Sequence, residues 1–420
     1  MNRGRLALVT LAVALAGCKG ACSKPSADAV DDDVPTTADP AHIGDAAAVA
    51  PPRCSVVSKK GSLGPIVDVG DAIVTPSGFA VGLLRKDNVL SVALVSADLA
   101  TVTFADVGPT ISEAPPLLPF LWDGKVYVAW IQSGVLSIGR VDGTKVAVIA
   151  ETVIALPAKD SLLSEAPDLD VAVAGDRGVV VWDEETPKGS QIHVLSFDKS
   201  GFAKNDSGLP LPISPPGADD EDPRLAPRAG GYWAVWVGRN VEDDSTDASE
   251  GPGESPSTRW LEAAPIDARG VRVGEPLRMT PTDGHIAGFD LLAHDGVTDI
   301  VARDGAESMT EEGTSLLHVT LADKPSASSI LAAGGIGRAV PVVVATAGGG
   351  LVVVPDLADA TKILPILPSG ALPSLEPTLK GARALVAKTT ENGADLLAVR
   401  LSGATLTADD AEIVLASCAR

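Results

Sequence analysis

Short apolar runs broken by Gly, Pro, Asp and Asn recur along most of the chain, and their Val- and Leu-rich make-up points to strands rather than helices. The clearest stretch runs from Glu165 to Gly201. It reads as an acidic residue before Pro167, an apolar strand, a tight Gly/Asp turn, a strand ending in Trp182, an acidic loop, another strand and an Asp-x-x-Gly turn. The same order appears at Glu113 to Gly143 and, with a longer insert, at Glu221 to Gly270. Asp123-Gly124, Gly230-Gly231, Asp295-Gly296 and Gly348 to Gly350 read as hairpin turns that need positive φ.

The acidic starts Glu113, Glu165 and Asp222 are spaced by about 52 and 57 residues. That period is too short for sandwich domains of about 100 residues, and it suits a four-stranded propeller blade of about 40 to 50 residues plus insertions. Units fall near 66–108, 113–157, 165–213, 222–280, 285–332, 338–368 and 374–417. Ser55 to Ser58 would join the strands ending at Leu415 and complete the last unit. The fold expected is therefore all-β: a seven-bladed propeller of four-stranded antiparallel blades, with six blades the alternative because unit 338–368 is short. The pattern resembles β-propellers of the sialidase-like, WD40-like and TolB-like kind, although the Gly-His…Trp-Asp pair of WD40 repeats is absent. Trp130, Trp182 and Trp236 recur at one strand position, which predicts packing between neighbouring blades ahead of ligand stacking.

Composition narrows the partners. The formal charge of −22 argues against nucleic acid, whose phosphates need clustered Lys and Arg, and against adhesion to anionic lipid headgroups. A monomer is expected. Arg3 and Arg5 precede an apolar core, Leu6 to Ala16, too short to span a bilayer. Leu15-Ala16-Gly17-Cys18 then resembles the lipobox of bacterial lipoproteins. The resemblance implies cleavage after residue 17, lipid on Cys18 and a place in the cell envelope. Lys19 stands where such lipoproteins carry an inner-membrane retention Asp, so the outer membrane is favoured. Residues 18–60 read as a tether, since their Lys, Ser, Pro, Ala and Asp content cannot offset chain entropy; residues 61–420 form the propeller. With Cys18 lipidated, Cys54–Cys418 is the favoured disulfide and Cys22–Cys54 the rival.

Because strands alternate in direction, every second loop falls on the same face of the disc. That face collects Glu113, Glu165, Asp219, Asp220, Glu221, Asp222, Asp243 and Asp247, with Arg239 and Arg259 among the few bases. These carboxylates are candidates for calcium, with the Asp243-x-Ser245-x-Asp247 spacing and the run Asp219 to Asp222 foremost. No Gly-x-Ser-x-Gly elbow and no paired zinc histidines occur. The sequence therefore reads as a non-catalytic envelope lipoprotein that binds a protein or glycan through an acidic face. Two alternatives stand beside it: a glycoside hydrolase or other hydrolase working through rim carboxylates, which requires a buried carboxyl pair with raised pKa near the channel mouth, and a calcium-stabilised structural module.

Overall fold

The computed structural model describes residues 53–110, 117–154, 167–186, 189–203, 210–240, 258–305, 314–333, 340–346, 349–354, 362–365, 382–391, 393–401 and 411–419. Among them every regular element is a strand.

Apolar runs of about eight residues, each closed by a turn, fold back on themselves as up-and-down antiparallel sheets. Strand β1 (Arg53–Gly64) opens the described chain. Then follow β2 (Ile66–Thr75), β3 (Gly78–Arg85), β4 (Val89–Ser96) and β5 (Val102–Pro109). The next run is β6 (Leu117–Trp122), β7 (Lys125–Gln132), β8 (Val135–Asp142) and β9 (Lys145–Val153). One parallel bridge, Asp106 to Lys145, joins these two runs into an eight-stranded sheet. A further sheet holds β10 (Leu169–Ala174), β11 (Arg177–Thr186), β12 (Gly189–Asp198), β13 (Gly201–Phe202) and β14 (Leu211–Pro212). It is followed by β15 (Asp219–Arg228), β16 (Gly231–Arg239), β17 (Arg259–Asp267) and β18 (Leu277–Arg278). Next come β19 (Ile286–His294), β20 (Val297–Asp304), β21 (Ser315–Leu321) and β22 (Ser329–Ala333). Three described strands, β23 (Val342–Thr346), β24 (Gly349–Val354) and β25 (Lys362–Pro365), make the short sheet expected at 338–368. The last strands are β26 (Ala382–Thr390), β27 (Gly393–Leu401) and β28 (Ala411–Ala419).

Strand β1 returns to the end of the chain and pairs antiparallel with β28, so the first and last strands share one sheet. This is the joining expected for Ser55 to Ser58. The opening strand of each run lies against that of the next: β2 against β6, β6 against β10, then β15, β19, β23 and β26, and β26 closes back on β2. These opening strands surround a central channel.

Apolar side chains fill the spaces between neighbouring sheets. Trp130 packs with Leu84, Leu90 and Val92 of the preceding run. Trp182 lies with Phe120 and Trp122, and Trp236 with Val179 and Val181. All three indoles are nearly or fully buried, which is the packing role their recurrence predicts. Burying a large apolar side chain stabilises by roughly 1.5–3 kcal/mol, so each indole ties one sheet to the one before it. Two of the expected turns have positive φ throughout, Asp123 and Gly124 at 49° and 70° and Asp295 and Gly296 at 48° and 79°; at Gly230-Gly231 only Gly230 does, at 80°, and Gly348 lies outside the described residues.

Candidate functional site in the central channel

The hairpins that end the opening strands bring equivalent residues to one height. Counting four residues back from the last paired residue gives Asp71, Leu118, Asp170, Arg224, Asp290, Val342 and Val386. All of them line a channel cavity of about 690 Å³. Three acids and one arginine thus share a level with three aliphatic residues.

Two of the acids act as staples. Asp170 Oδ1 accepts the N–H of Val171 and its Oδ2 accepts that of Leu225 on the next opening strand, both at 2.7 Å. Asp290 repeats the arrangement with Leu291 at 2.8 Å and Val343 at 2.7 Å. An opening strand has one unpaired backbone edge, and these carboxylates satisfy part of it. Asp71 cannot do the same across to β6, because the matching residue there is Pro119, which has no N–H. Asp71 accepts no hydrogen bond among the described residues.

The lumen is open to water, to which Asp71 is exposed and Asp170 and Asp290 half-buried, but the surrounding protein limits the hydration of these carboxylates. Burial pushes Asp170 and Asp290 up to about 6, with Arg224 opposing in each case. Burial also raises Asp71, against Arg224. Arg224 itself is disfavoured by burial, but Asp222, Asp170, Asp71 and Asp168 outweigh that and hold it charged. Its Nη2 pairs with Asp222 Oδ1 at 3.0 Å.

One step nearer the mouth lies a second carboxylate group. The ladder between β10 and β11 ends at Leu169 opposite Trp182, so Asp168 and Asp183 flank its end. The Asp183 N–H donates to the Asp168 carbonyl at 3.2 Å. Burial raises Asp183 to about 7, with the Asp168 carboxylate as the next cause. Asp168, although accessible to solvent, is raised to about 6 by the protein around it, with Asp222 adding and Arg224 opposing. The buried Oδ1 of Asp183 has no partner among the described residues. Asp222, with φ of 54°, sits at a bulge of β15, and its charge acts on both Asp168 and Asp183.

The sequence places the acidic run Asp219 to Asp222 just before an opening strand, near the channel, as a candidate binding or calcium face. It instead forms the first turnless positions of β15, and Asp219 and Asp220 are buried. Strand pairing brings Arg239 and Arg259 alongside it. Arg239 Nε donates to Asp219 Oδ2 at 2.6 Å and its Nη1 reaches Glu221 Oε2 at 3.2 Å; Arg259 Nη1 reaches Glu221 Oε1 at 3.3 Å. Burial alone would raise Asp219, but Arg239 and the Ser190 N–H hold it low. Asp220 is pushed up to about 7 by burial and by Glu262. Glu113, Glu165, Asp243, Asp247 and Cys18 lie outside the described residues. Cys54 and Cys418 stand opposite each other where β1 pairs with β28. Among the described residues no three of His, Cys, Asp and Glu come together as a metal site.

Asp71, Asp168, Asp170, Arg224 and Asp290 were not singled out from the sequence for chemistry, whereas Asp183 falls on the acidic face with Glu184 and Glu185. The signal was there: aligning the units on their hairpins, rather than on their acidic starts, puts Asp71, Asp170, Arg224 and Asp290 in one column.

No family model matches the chain, and no curated protein does. Among solved structures, polysaccharide lyase Uly1 is similar at a TM-score of 0.52 and 6% identity, over 83% of this chain and 89% of that one. A GH93 α-L-arabinofuranosidase of Fusarium graminearum, solved with arabinobiose, is similar at a TM-score of 0.46 and 9% identity, over 84% and 97%. The likeness to Uly1 is one of fold. The expected acidic binding face is corrected in its described part: Asp219 and Asp220 are buried, and Asp219, Glu221 and Asp222 are ion-paired with arginine.

Proposed function

We propose that this chain is a glycoside hydrolase whose acid–base pair stands at the mouth of a seven-bladed propeller. The observation that carries the reading is Asp183, a carboxyl with a pKa of about 7, set beside Asp168. A carboxyl that keeps its proton near neutral pH can hand it to a departing glycosidic oxygen. Asp222, ion-paired to Arg224, supplies the carboxylate that activates water against the anomeric carbon. The glycosidic C–O bond breaks as Asp183 protonates the leaving oxygen, water bonds to the anomeric carbon in its place and gives its proton to Asp222, and proton exchange with solvent returns Asp183 to the acid and Asp222 to the carboxylate. The names of the two structural neighbours agree with a carbohydrate substrate.

The blade count follows from taking the eight-stranded sheet as two blades, since a single bridge joins its halves. We keep the lipobox reading as part of the proposal: export, cleavage before Cys18 and a lipid anchor on an envelope membrane. The opposed positions of Cys54 and Cys418 support a disulfide that locks the last blade.

The test is a panel of chromogenic glycosides and unmodified polysaccharides, assayed with the wild type and with Asp183→Asn. Turnover that falls by about 10² to 10⁴ in the variant supports the acid role. A wild-type protein inert on every substrate, or a variant of full activity, removes the hydrolase reading.

A further inference from the structure

The channel below the mouth has a charge balance and one free group that the acid–base pair does not use. At the level of Asp71, one arginine faces three carboxylates, and that arginine is already ion-paired with Asp222 above it. Asp170 and Asp290 spend both oxygens on backbone N–H groups. Asp71 has neither bond among the described residues, and on the neighbouring strand Pro119 stands where the cross-strand donor would be. The Asp71 carboxylate, exposed to the lumen and without a protein donor among the described residues, therefore lines the channel cavity of about 690 Å³ beside the apolar surfaces of Leu118, Val342 and Val386.

The missing partner has to be a donor, and the excess of negative charge makes a cation the best one. A metal fits poorly, since no three ligating side chains converge among the described residues. A single ammonium needs only one carboxylate at its centre and carries three N–H donors. Aliphatic walls beside it suit the apolar face of a sugar ring. A uronate would meet the opposite situation, bringing its charge toward Asp71, Asp170 and Asp290 with no arginine at that level unpaired.

We propose that the channel takes a sugar with a free amine, its ammonium held by the Asp71 carboxylate, so that the substrate is a glycan containing unacetylated amino sugars. This rests on the hydrolase reading and names its substrate class. Asp71 is then a specificity-determining contact.

Isothermal titration calorimetry on the full chain tests it with glucosamine tetramer, N-acetylglucosamine tetramer and galacturonate tetramer. The expected result is binding of the glucosamine tetramer at least about tenfold tighter than the acetylated one, with no binding of galacturonate. Asp71→Asn should erase the preference and Asp71→Glu should keep it. Melting curves of both variants establish that they fold, and the wild-type ranking stands without either. Equal affinity for the amine and the acetamide, tighter binding of galacturonate, or an undiminished preference in folded Asp71→Asn overturns the proposal. Calorimetry reads binding without turnover, so the two readings fail separately: hydrolysis of acetylated or neutral glycans without amine preference sinks only this one, and amine-selective binding with no hydrolysis of any glycan sinks only the other.

Discussion

Asp170 Oδ2 accepts the backbone N–H of Leu225 across the gap between two sheets, at 2.7 Å. The bond joins the opening strands β10 and β15 at the channel wall, where neither strand has another neighbour on that edge. Removing the carboxylate leaves two N–H groups, those of Val171 and Leu225, without their acceptors. Asp170→Ala should therefore destabilise by about 2–4 kcal/mol, counting roughly 1–3 kcal/mol for each unsatisfied donor and some relief by channel water. Denaturant titration measures it. A loss below about 0.5 kcal/mol would show that the staple is dispensable.

Asp220 carries the clearest linkage between pH and stability. It is buried, and its pKa is raised from an ordinary value of 3.8 to about 7 by burial and by Glu262. A raised folded-state carboxyl binds its proton more tightly folded than unfolded, so its contribution is fullest below about pH 4 and is lost as pH rises toward 7. Asp220→Asn should match the wild type near pH 4 and exceed it by roughly 2 kcal/mol or more near pH 8. Thermal melts of both proteins across that range decide it, and a difference independent of pH would refute the burial argument.

The acid limb of catalysis has a defined place. If Asp183 must be protonated, kcat/KM should fall as pH rises past about 7. Asp183→Asn should lack that limb as well as most of the rate. A rate that climbs through pH 8 in the wild type would assign the acid elsewhere.

Cys54 and Cys418 are direct partners in the β1–β28 ladder, and opposed residues lie about 4.5–5.5 Å apart at Cα, within disulfide reach. Protein from an oxidising compartment should show the bond on non-reducing peptide mapping. Cys418→Ser should lower stability by roughly 6 kcal/mol in the loop-entropy account, since the bond closes nearly the whole folded chain. Recovery of both cysteines as free thiols would dismiss the pairing.

Gly82 marks a close approach between β3 and the carbonyl of Leu117, which a Cβ on Gly82 would meet at 2.3 Å. Gly82→Ala should cost about 1–3 kcal/mol by forcing the two runs apart. An unchanged melting temperature would mean that the runs shift freely.

Much of the fold was legible because strand period and turn chemistry are local properties. The Asp-Gly hairpins and the run from Val126 to Trp130 announce themselves over ten residues. So did the return of the first strand to the last, since Ser55 to Ser58 is an apolar–polar segment with no nearer partner. The site was less legible for a physical reason. A charged residue reads as solvated unless its surroundings are known, and Asp170, Asp183 and Arg224 owe their chemistry to enclosure by strands from other units. The run Asp219 to Asp222 misled in the same way: its partners, Arg239 and Arg259, arrive through strand pairing and are not visible at its place in the chain.

The pairing of β1 with β28 also sets an order of events during synthesis. Every intermediate sheet can form as the chain emerges, but β1 must wait with one edge open until the final strand appears. A ribosome that stops early would release a ring that cannot shut, with its first strand free to pair with a stranger. Quality control that samples open edges would then distinguish chains that carry β28 from those that lack it.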